Sequence, residues 1–422
     1  MESRQRQRPL TTLLAATSLA AGAMAVLLMT GGGPARADEH LSLIATIDVG
    51  GNGLGAFDIS YDDPNIDLYV LGDRTNASVD MVDASDGTFI GRVGGFTGAV
   101  LNANGTANNN VSGPDGVVIV DHKQIWAGDG DSTMKIIDIA SRKIIDTIST
   151  GGKFRVDEMT WDSRDHLVAA ANNADTPPFV TVFDTKTDQI VGKITFDGTN
   201  GTPDATNGIE QPQWSSQTGM IYVSVPQVGS DPATGGLAVI DPHTLKVVTT
   251  FPVQNCSPAG LTMGPAHQAL IGCSASFGTS PNVITQSVVI DIKSGNVVKN
   301  ITQVGGNDEV WFDRGTNHYY LAARSNTDNT GKVTPVLGFV DAGTNMFDGS
   351  IATSTTSHSV AASRLNGHVF LPIGFVPPGS PAGTDPTNPC PAKGCIGVYV
   401  PSGSDDGHFA HQLDHFMKEA GR

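Results

Sequence analysis

Residues 157–196 read DEMTWDSRDHLVAAANNADTPPFVTVFDTKTDQIVGKITF, and this stretch decides the fold. Four apolar or alternating runs, at residues 159–161, 166–171, 180–183 and 189–196, are separated by polar turns. Each has the length of a strand, and no helix-period stripe runs through them. A four-stranded meander by itself leaves two apolar faces open to water. It therefore needs neighbours of its own kind.

Those neighbours are present. The third run of the unit ends in an apolar residue followed by Asp, at Phe183-Asp184. The same pair recurs at Val82-Asp83, Ile137-Asp138, Ile240-Asp241, Ile290-Asp291 and Val340-Asp341, and a seventh copy, Val400-Pro401, lacks the acid. An Asp so placed accepts bonds from the backbone N–H groups of a tight turn, which accounts for its recurrence without any chemistry. A period of roughly 50 residues suits a propeller blade with variable loops. The expected fold is all-β: a seven-bladed propeller of four-stranded antiparallel blades, with six or eight as the alternative counts. Residues 41–49 (LSLIATIDV) look like a fourth, outer strand with no blade ahead of them. The last unit, through residues 368–373 and 396–400, lacks a fourth strand. The N-terminal strand is thus expected to complete the last blade and close the ring, which removes exposed sheet edges.

The ends of the chain read differently. Arg4, Arg6 and Arg8 precede an apolar run over residues 13–29, and Ala35-Arg36-Ala37 matches a small-x-small cleavage site before Asp38. Residues 1–37 are expected to be a secretory signal peptide, residues 38–403 the propeller, and residues 404–422 a tail with a short helix. A membrane anchor is the alternative for the leader, since its run is marginal for a full span. In the tail, Phe409, Leu413, Phe416 and Met417 form an apolar stripe at helical spacing, and His408, His411 and His415 share another side.

The chain has 422 residues with 25 Lys+Arg against 42 Asp+Glu, a net charge of −17. Loss of the leader would remove four arginines and one glutamate and make it more acidic still. This balance argues against nucleic acid and anionic membrane surfaces as partners and favours cations. The expected partner is a small molecule or an extracytoplasmic protein or peptide, with no stable membrane insertion after cleavage. Four cysteines fit an oxidising compartment, secreted or periplasmic. Cys256 would face Cys273 across a hairpin and Cys390 would staple a loop to Cys395, one of three connectivities the count allows. No His follows the Cys390–Cys395 spacing as a c-type haem site requires, and no nucleotide fingerprint, zinc helix or nucleophile elbow occurs. No haem or nucleotide is expected.

Loop lengths point to one end of the ring. First-to-second and third-to-fourth connections are short, whereas long insertions fall between second and third strands (residues 172–179, 226–236, 274–286, 324–335, 374–395) or between blades (94–113, 197–208). In an up-and-down blade both long classes emerge on the same end, and loops on a rigid scaffold are where binding sites sit. The innermost strand of every blade starts at that end. Its starts carry Asp58, Asp115, Asp157 with Glu158, Glu210, Ser257, Asp308 with Glu309, and His358. Converging carboxylates repel unless a cation neutralises them or they hold protons. Oxygen ligands from several such strands would suit Ca2+ or another divalent cation. Glu210 and His358 are the candidate proton-transfer groups, and Arg155, Arg324, Asn172 and Asn173 the candidate ligand-binding side chains. The bland alternatives are strand-opening caps for the acids and local charge neutralisation for Arg155, Arg324 and Arg74. Trp126, Trp161, Trp214 and Trp311 sit in or beside apolar strand runs, which favours packing between blades over an aromatic cage.

The segments Met220-Ile-Tyr-Val-Ser, Leu237-Ala-Val-Ile-Asp-Pro-His-Thr-Leu-Lys-Val-Val and Gly113-Pro-Asp-Gly-Val resemble the repeats of the YVTN/YncE-like seven-bladed propellers. Gln286-Ser-Val-Val-Ile-Asp-Ile-Lys-Ser-Gly-Asn-Val-Val is similar. These belong to a broad superfamily with lactonase-like and quinoprotein-like propellers, and the resemblance covers residues 41–402. It implies the fold and a periplasmic binding or interaction role. Lactonase-like relatives imply a divalent cation at the channel mouth, a place Glu158, Glu210, Asp308 and Glu309 would take, and with it a metal-assisted hydrolase or lyase as the alternative function. Quinoprotein relatives imply a Trp-rich site and an adjacent-cysteine pair that this chain lacks, so no quinone is expected.

Overall fold

The structure, a computed structural model, describes residues 40–105, 107–275, 285–375 and 387–401. The leader over residues 1–37, the tail over 404–422 with its three histidines, and parts of two insertions lie outside the described residues. Among the described residues there are seven sheets, each of four antiparallel strands, and one turn of 3-10 helix at Asn109–Val111. Blade one comprises Ser60–Asp63, Leu68–Asp73, Ser78–Asp83 and Phe89–Gly94. Blade two is Val117–Val120, Gln124–Gly128, Thr133–Asp138 and Lys143–Ser149. Blade three, the unit first quoted, is Met159–Asp162, Leu167–Asn172, Phe179–Asp184 and Gln189–Thr195. Blades four, five and six open at Pro212–Trp214, Pro258–Met263 and Val310–Asp313.

Blade seven is Ala361–Ala362, Val369–Ile373 and Cys395–Pro401, completed by the N-terminal strand Leu41–Ile47. That strand pairs antiparallel with the last, Leu41 opposite Pro401 and Ile47 opposite Ile396. The ring therefore closes between the two ends of the chain, as the unpartnered first strand requires.

The repeated Asp is a turn device. Asp83, Asp138, Asp184, Asp241, Asp291 and Asp341 each accept a backbone N–H two or three residues on, at 2.6 to 3.2 Å. The Ser141 hydroxyl and N–H hold half-buried Asp138 below the usual carboxylate range, and the Lys186 N–H does the same for half-buried Asp184. Just before this Asp, six blades share a register shift between third and fourth strands. A bulge there adds local twist, which suits an outer strand splayed around a ring.

The apolar faces meet between blades. Seven separate clusters of buried side chains fill the seven joints, for example Val168, Ala170 and Phe183 of blade three against Trp126 and Ile136 of blade two. Each fully buried aliphatic there contributes on the order of 1.5–3 kcal/mol. The tryptophans are packing residues: Trp126 is fully buried with its ring edge-on to Phe183, and Trp311 meets Tyr61 edge-on at 5.4 Å. Both disulfides form as paired from the sequence, Cys256–Cys273 and Cys390–Cys395.

Glycine sets how closely the blades approach around the shaft. A Cβ on Gly116 would lie 2.0 Å from the Asp157 carbonyl, and one on Gly260 would lie 2.2 Å from the Asp308 carbonyl. Gly116 lies just before one blade's first strand and Gly260 inside another's, and each touches the acidic entry of the next blade. Without a side chain at these two positions the inner strands pack tightly enough to bring the entries together.

Candidate functional site at the mouth of the shaft

Four of the entry residues are pinned by their own blades. The backbone N–H of Asp58, Asp115, Asp157 and Glu210 donates to Gly72, Gly128, Ala171 and Ser224 on the neighbouring second strand, at 2.8 to 2.9 Å. The Glu309 N–H instead donates across to the His358 carbonyl of the next blade, at 3.0 Å. The entries are thus fixed to rigid sheet, and their side chains converge. Asp58, Asp157, Glu158, Glu210, Asp308, Glu309 and His358 all line one cavity of about 390 Å3 at the loop-bearing end. Arg74, Arg155 and Arg324 line it too. Asp115 lies behind it, fully buried, and Ser257 does not take part.

The acids fall into three groups with different neighbours. In the first, oxygens of Asp58, Asp115 and Asp157 lie within 4.8 Å of one another. Two guanidiniums occupy the space a cation would take. Arg74 is buried and pairs with both Asp58 and Asp115, donating from Nε to Asp115 Oδ1 at 2.7 Å. Arg155 pairs with Asp157 at 2.5 Å and lies 3.6 Å from Asp58. Burial raises the Asp58 carboxyl, but Arg74, His358 and Arg155 win and hold it well below the usual range. Asp115, with no exposure at all, is pushed up by burial despite both arginines, and Asp157 is pushed by burial up to about 6. This group is internally neutralised and does not fit a metal.

In the second group Glu158 and Glu309 face each other, 3% and 4% exposed. Glu158 Oε2 and Glu309 Oε1 are buried with no hydrogen-bond donor. Burial raises Glu309 to about 8, and Glu158 is raised well above its ordinary value by burial and then by the charge of Glu309. Two buried carboxylates cannot both stay ionised side by side, so a shared proton or a cation must sit between them. Glu210, half-buried beside them, makes no hydrogen bond through its carboxyl to a described residue; burial and the charges of Asp157 and Asp308 raise it also. The third group is a rim pair, Arg324 to Asp308 at 2.6 Å, with Arg324 41% exposed.

His358 is framed by two backbone carbonyls and by Asp58, whose Oδ1 lies 3.4 Å from its Nε2. Its Nδ1 is 2.9 Å from the Thr356 carbonyl, its Nε2 is 3.2 Å from the Phe57 carbonyl, and the ring stacks on Phe57 at 4.6 Å. Both nitrogens are engaged, and Glu210 is left as the proton-transfer candidate with a free side chain. Asn172 is not in the cavity. It is fully buried and brackets blades two and three, donating from Nδ2 to Ser132 Oγ at 3.0 Å and Thr150 Oγ1 at 3.1 Å. Asn173 accepts from Arg155 Nε at 3.3 Å and lines a second cleft instead. Sequence reading placed Arg74 near this face but did not identify it as the residue that neutralises Asp58 and Asp115. Its partners lie 16 and 41 residues away on two blades, and no local pattern links them.

The fold is found again among solved structures. The chain is similar to one from Kuenenia stuttgartiensis Hydrazine Synthase, with a TM-score of 0.57 and 13% identity over 75% of this chain and 92% of that one. At that identity the likeness shows the propeller fold alone. No protein-family model and no curated protein matches the chain.

Proposed function

We propose that the protein is an extracytoplasmic binding propeller of the YncE-like kind that takes a small ligand at its loop-bearing end, with a divalent cation held between Glu158 and Glu309 and favoured by the charge of Glu210 nearby. The observation that carries this reading is the pair of donorless, buried oxygens, Glu158 Oε2 and Glu309 Oε1, in the wall of the mouth cavity. Hard carboxylate oxygens in a ring of several strands suit calcium or magnesium, and the open cavity leaves room for water or ligand oxygen in the remaining positions. Asp308 is already turned to Arg324 and would lie at the edge of that shell. Two disulfides, and no helix among the described residues long and apolar enough to cross a membrane, support the extracytoplasmic placement. A metal-assisted hydrolase would need a free base beside the ion. His358 is framed on both nitrogens, which leaves Glu210 alone for that role, so binding is put first.

The test is metal analysis of protein purified without chelator, followed by melting scans in calcium and in EDTA. A site filled at 100 times its Kd adds about 2.7 kcal/mol to stability. That rise should vanish in Glu309→Gln and shrink in Glu210→Gln. No bound metal and superimposable scans in calcium and EDTA would remove the cation from the proposal.

A further inference from the structure

A larger cavity on the same end plays no part in that reading. It lies between blades three and four, encloses about 790 Å3, and shares one wall residue, Glu210, with the mouth. Its walls come from residues 173–178, 196–197 and 204–208. The charged lining has one sign: Asp175, Asp197, Asp204 and Glu210, with no Lys, Arg or His among the described lining residues. Two of these acids already have donors. Asp175 accepts the backbone N–H of Lys153 at 2.9 Å, and Asp197 accepts the Thr199 N–H at 3.0 Å and its hydroxyl at 2.6 Å. Among the described residues, the carboxylates of Asp204 and Glu210 make no hydrogen bond or ion pair. Asn173, only 8% exposed, offers its Oδ1 to Arg155, which leaves the two N–H donors of its amide without an acceptor in the cleft wall. Pro177 and Pro178 add a rigid apolar flank.

We propose that this cleft binds an extended, amine-bearing small ligand, with ammonium groups at Glu210 and Asp204 and a carbonyl or hydroxyl oxygen accepting from Asn173 Nδ2. The chemistry follows from what the walls lack as well as what they hold. An anionic ligand would meet four carboxyl groups and no cation, and a neutral one would leave the carboxyls of Glu210 and Asp204 without a donor. The chain's net charge of −17 favours the approach of a cation over an anion at long range. A volume of this size holds a drug-sized or short oligomeric ligand. The inference rests on the loop-bearing end being the ligand face, and it does not require the metal.

Two probes share this chemistry: tetralysine, and a fully deacetylated glucosamine tetramer. Each is titrated calorimetrically into the full chain at low salt, beside tetraglutamate and the N-acetylated tetramer. The expected result is binding of at least one cationic probe and neither control. The half-buried Glu210→Gln should weaken it about tenfold, the exposed Asp204→Asn about threefold, and Gln217→Ala on the far end not at all. Which cationic probe binds identifies peptide or amino sugar as the source of the amine. Failure of both to bind, equal binding of a control, or affinity unmoved by both acid variants would overturn the proposal. Asp204→Asn lies outside the mouth, so its calcium-dependent melting shift stays as in the parent chain. Loss of amine binding with that shift intact then concerns the cleft alone, and the converse concerns the metal alone.

Discussion

Arg74 shows how much one side chain can decide at this site. It is 4% exposed and lies between two carboxylates from different blades, so its removal leaves charge buried without a partner. Arg74→Met should therefore lower the unfolding free energy by about 3–5 kcal/mol. Arg324→Ala, at a rim pair with 41% exposure, should cost at most about 1 kcal/mol. Chemical denaturation of the two variants checks both figures. Equal losses would mean that the Arg74 cluster is more hydrated than its geometry states. The residue scale is also where sequence reading reached least far. Asp157 and Glu158 are adjacent and both reach the mouth, because they precede the regular pleat that would send neighbours to opposite faces. Asn172 and Asn173 are adjacent too, yet one braces two blades and the other faces a cleft.

The elements were far more legible. The recurring Asp marked each turn between third and fourth strands, and the hydrogen bonds it makes are local, which is why the signal survives in the sequence alone. The cysteine pairing was readable for the same reason, since Cys256 and Cys273 flank one hairpin and meet where its strands end. That bridge closes a loop with a sequence separation of 17 and both cysteines are fully buried. Replacing both by alanine should lower the unfolding free energy by about 3 kcal/mol, and replacing Cys390 and Cys395, with a separation of 5, by about 2 kcal/mol. Urea titrations of the two double variants give the comparison. A larger effect from the shorter loop would show that loop entropy is not the main term.

At the scale of the whole ring, the mouth couples stability to pH. Glu309 is raised to about 8, and Glu158 and Glu210 are raised as well, so the folded chain holds protons that the unfolded chain releases near pH 4. Between pH 4 and about 8 the native state therefore binds more protons, and stability falls as pH rises through that window. Melting scans in EDTA should show a lower Tm at pH 8 than at pH 5, and Glu309→Gln should flatten the slope. A rising Tm over that interval would mean that the mouth acids are ionised in the fold. The period, the turn acids, the strand without a blade and the one-sided insertions determined the propeller, its closure and its decorated end, because each is written within a single unit of about 50 residues. The grouping of the acids was decided only by the closed ring. Which carboxylate meets an arginine, which meets another carboxylate and which stands free depends on side chains from different blades, brought together across the shaft where adjacency in the chain carries no information.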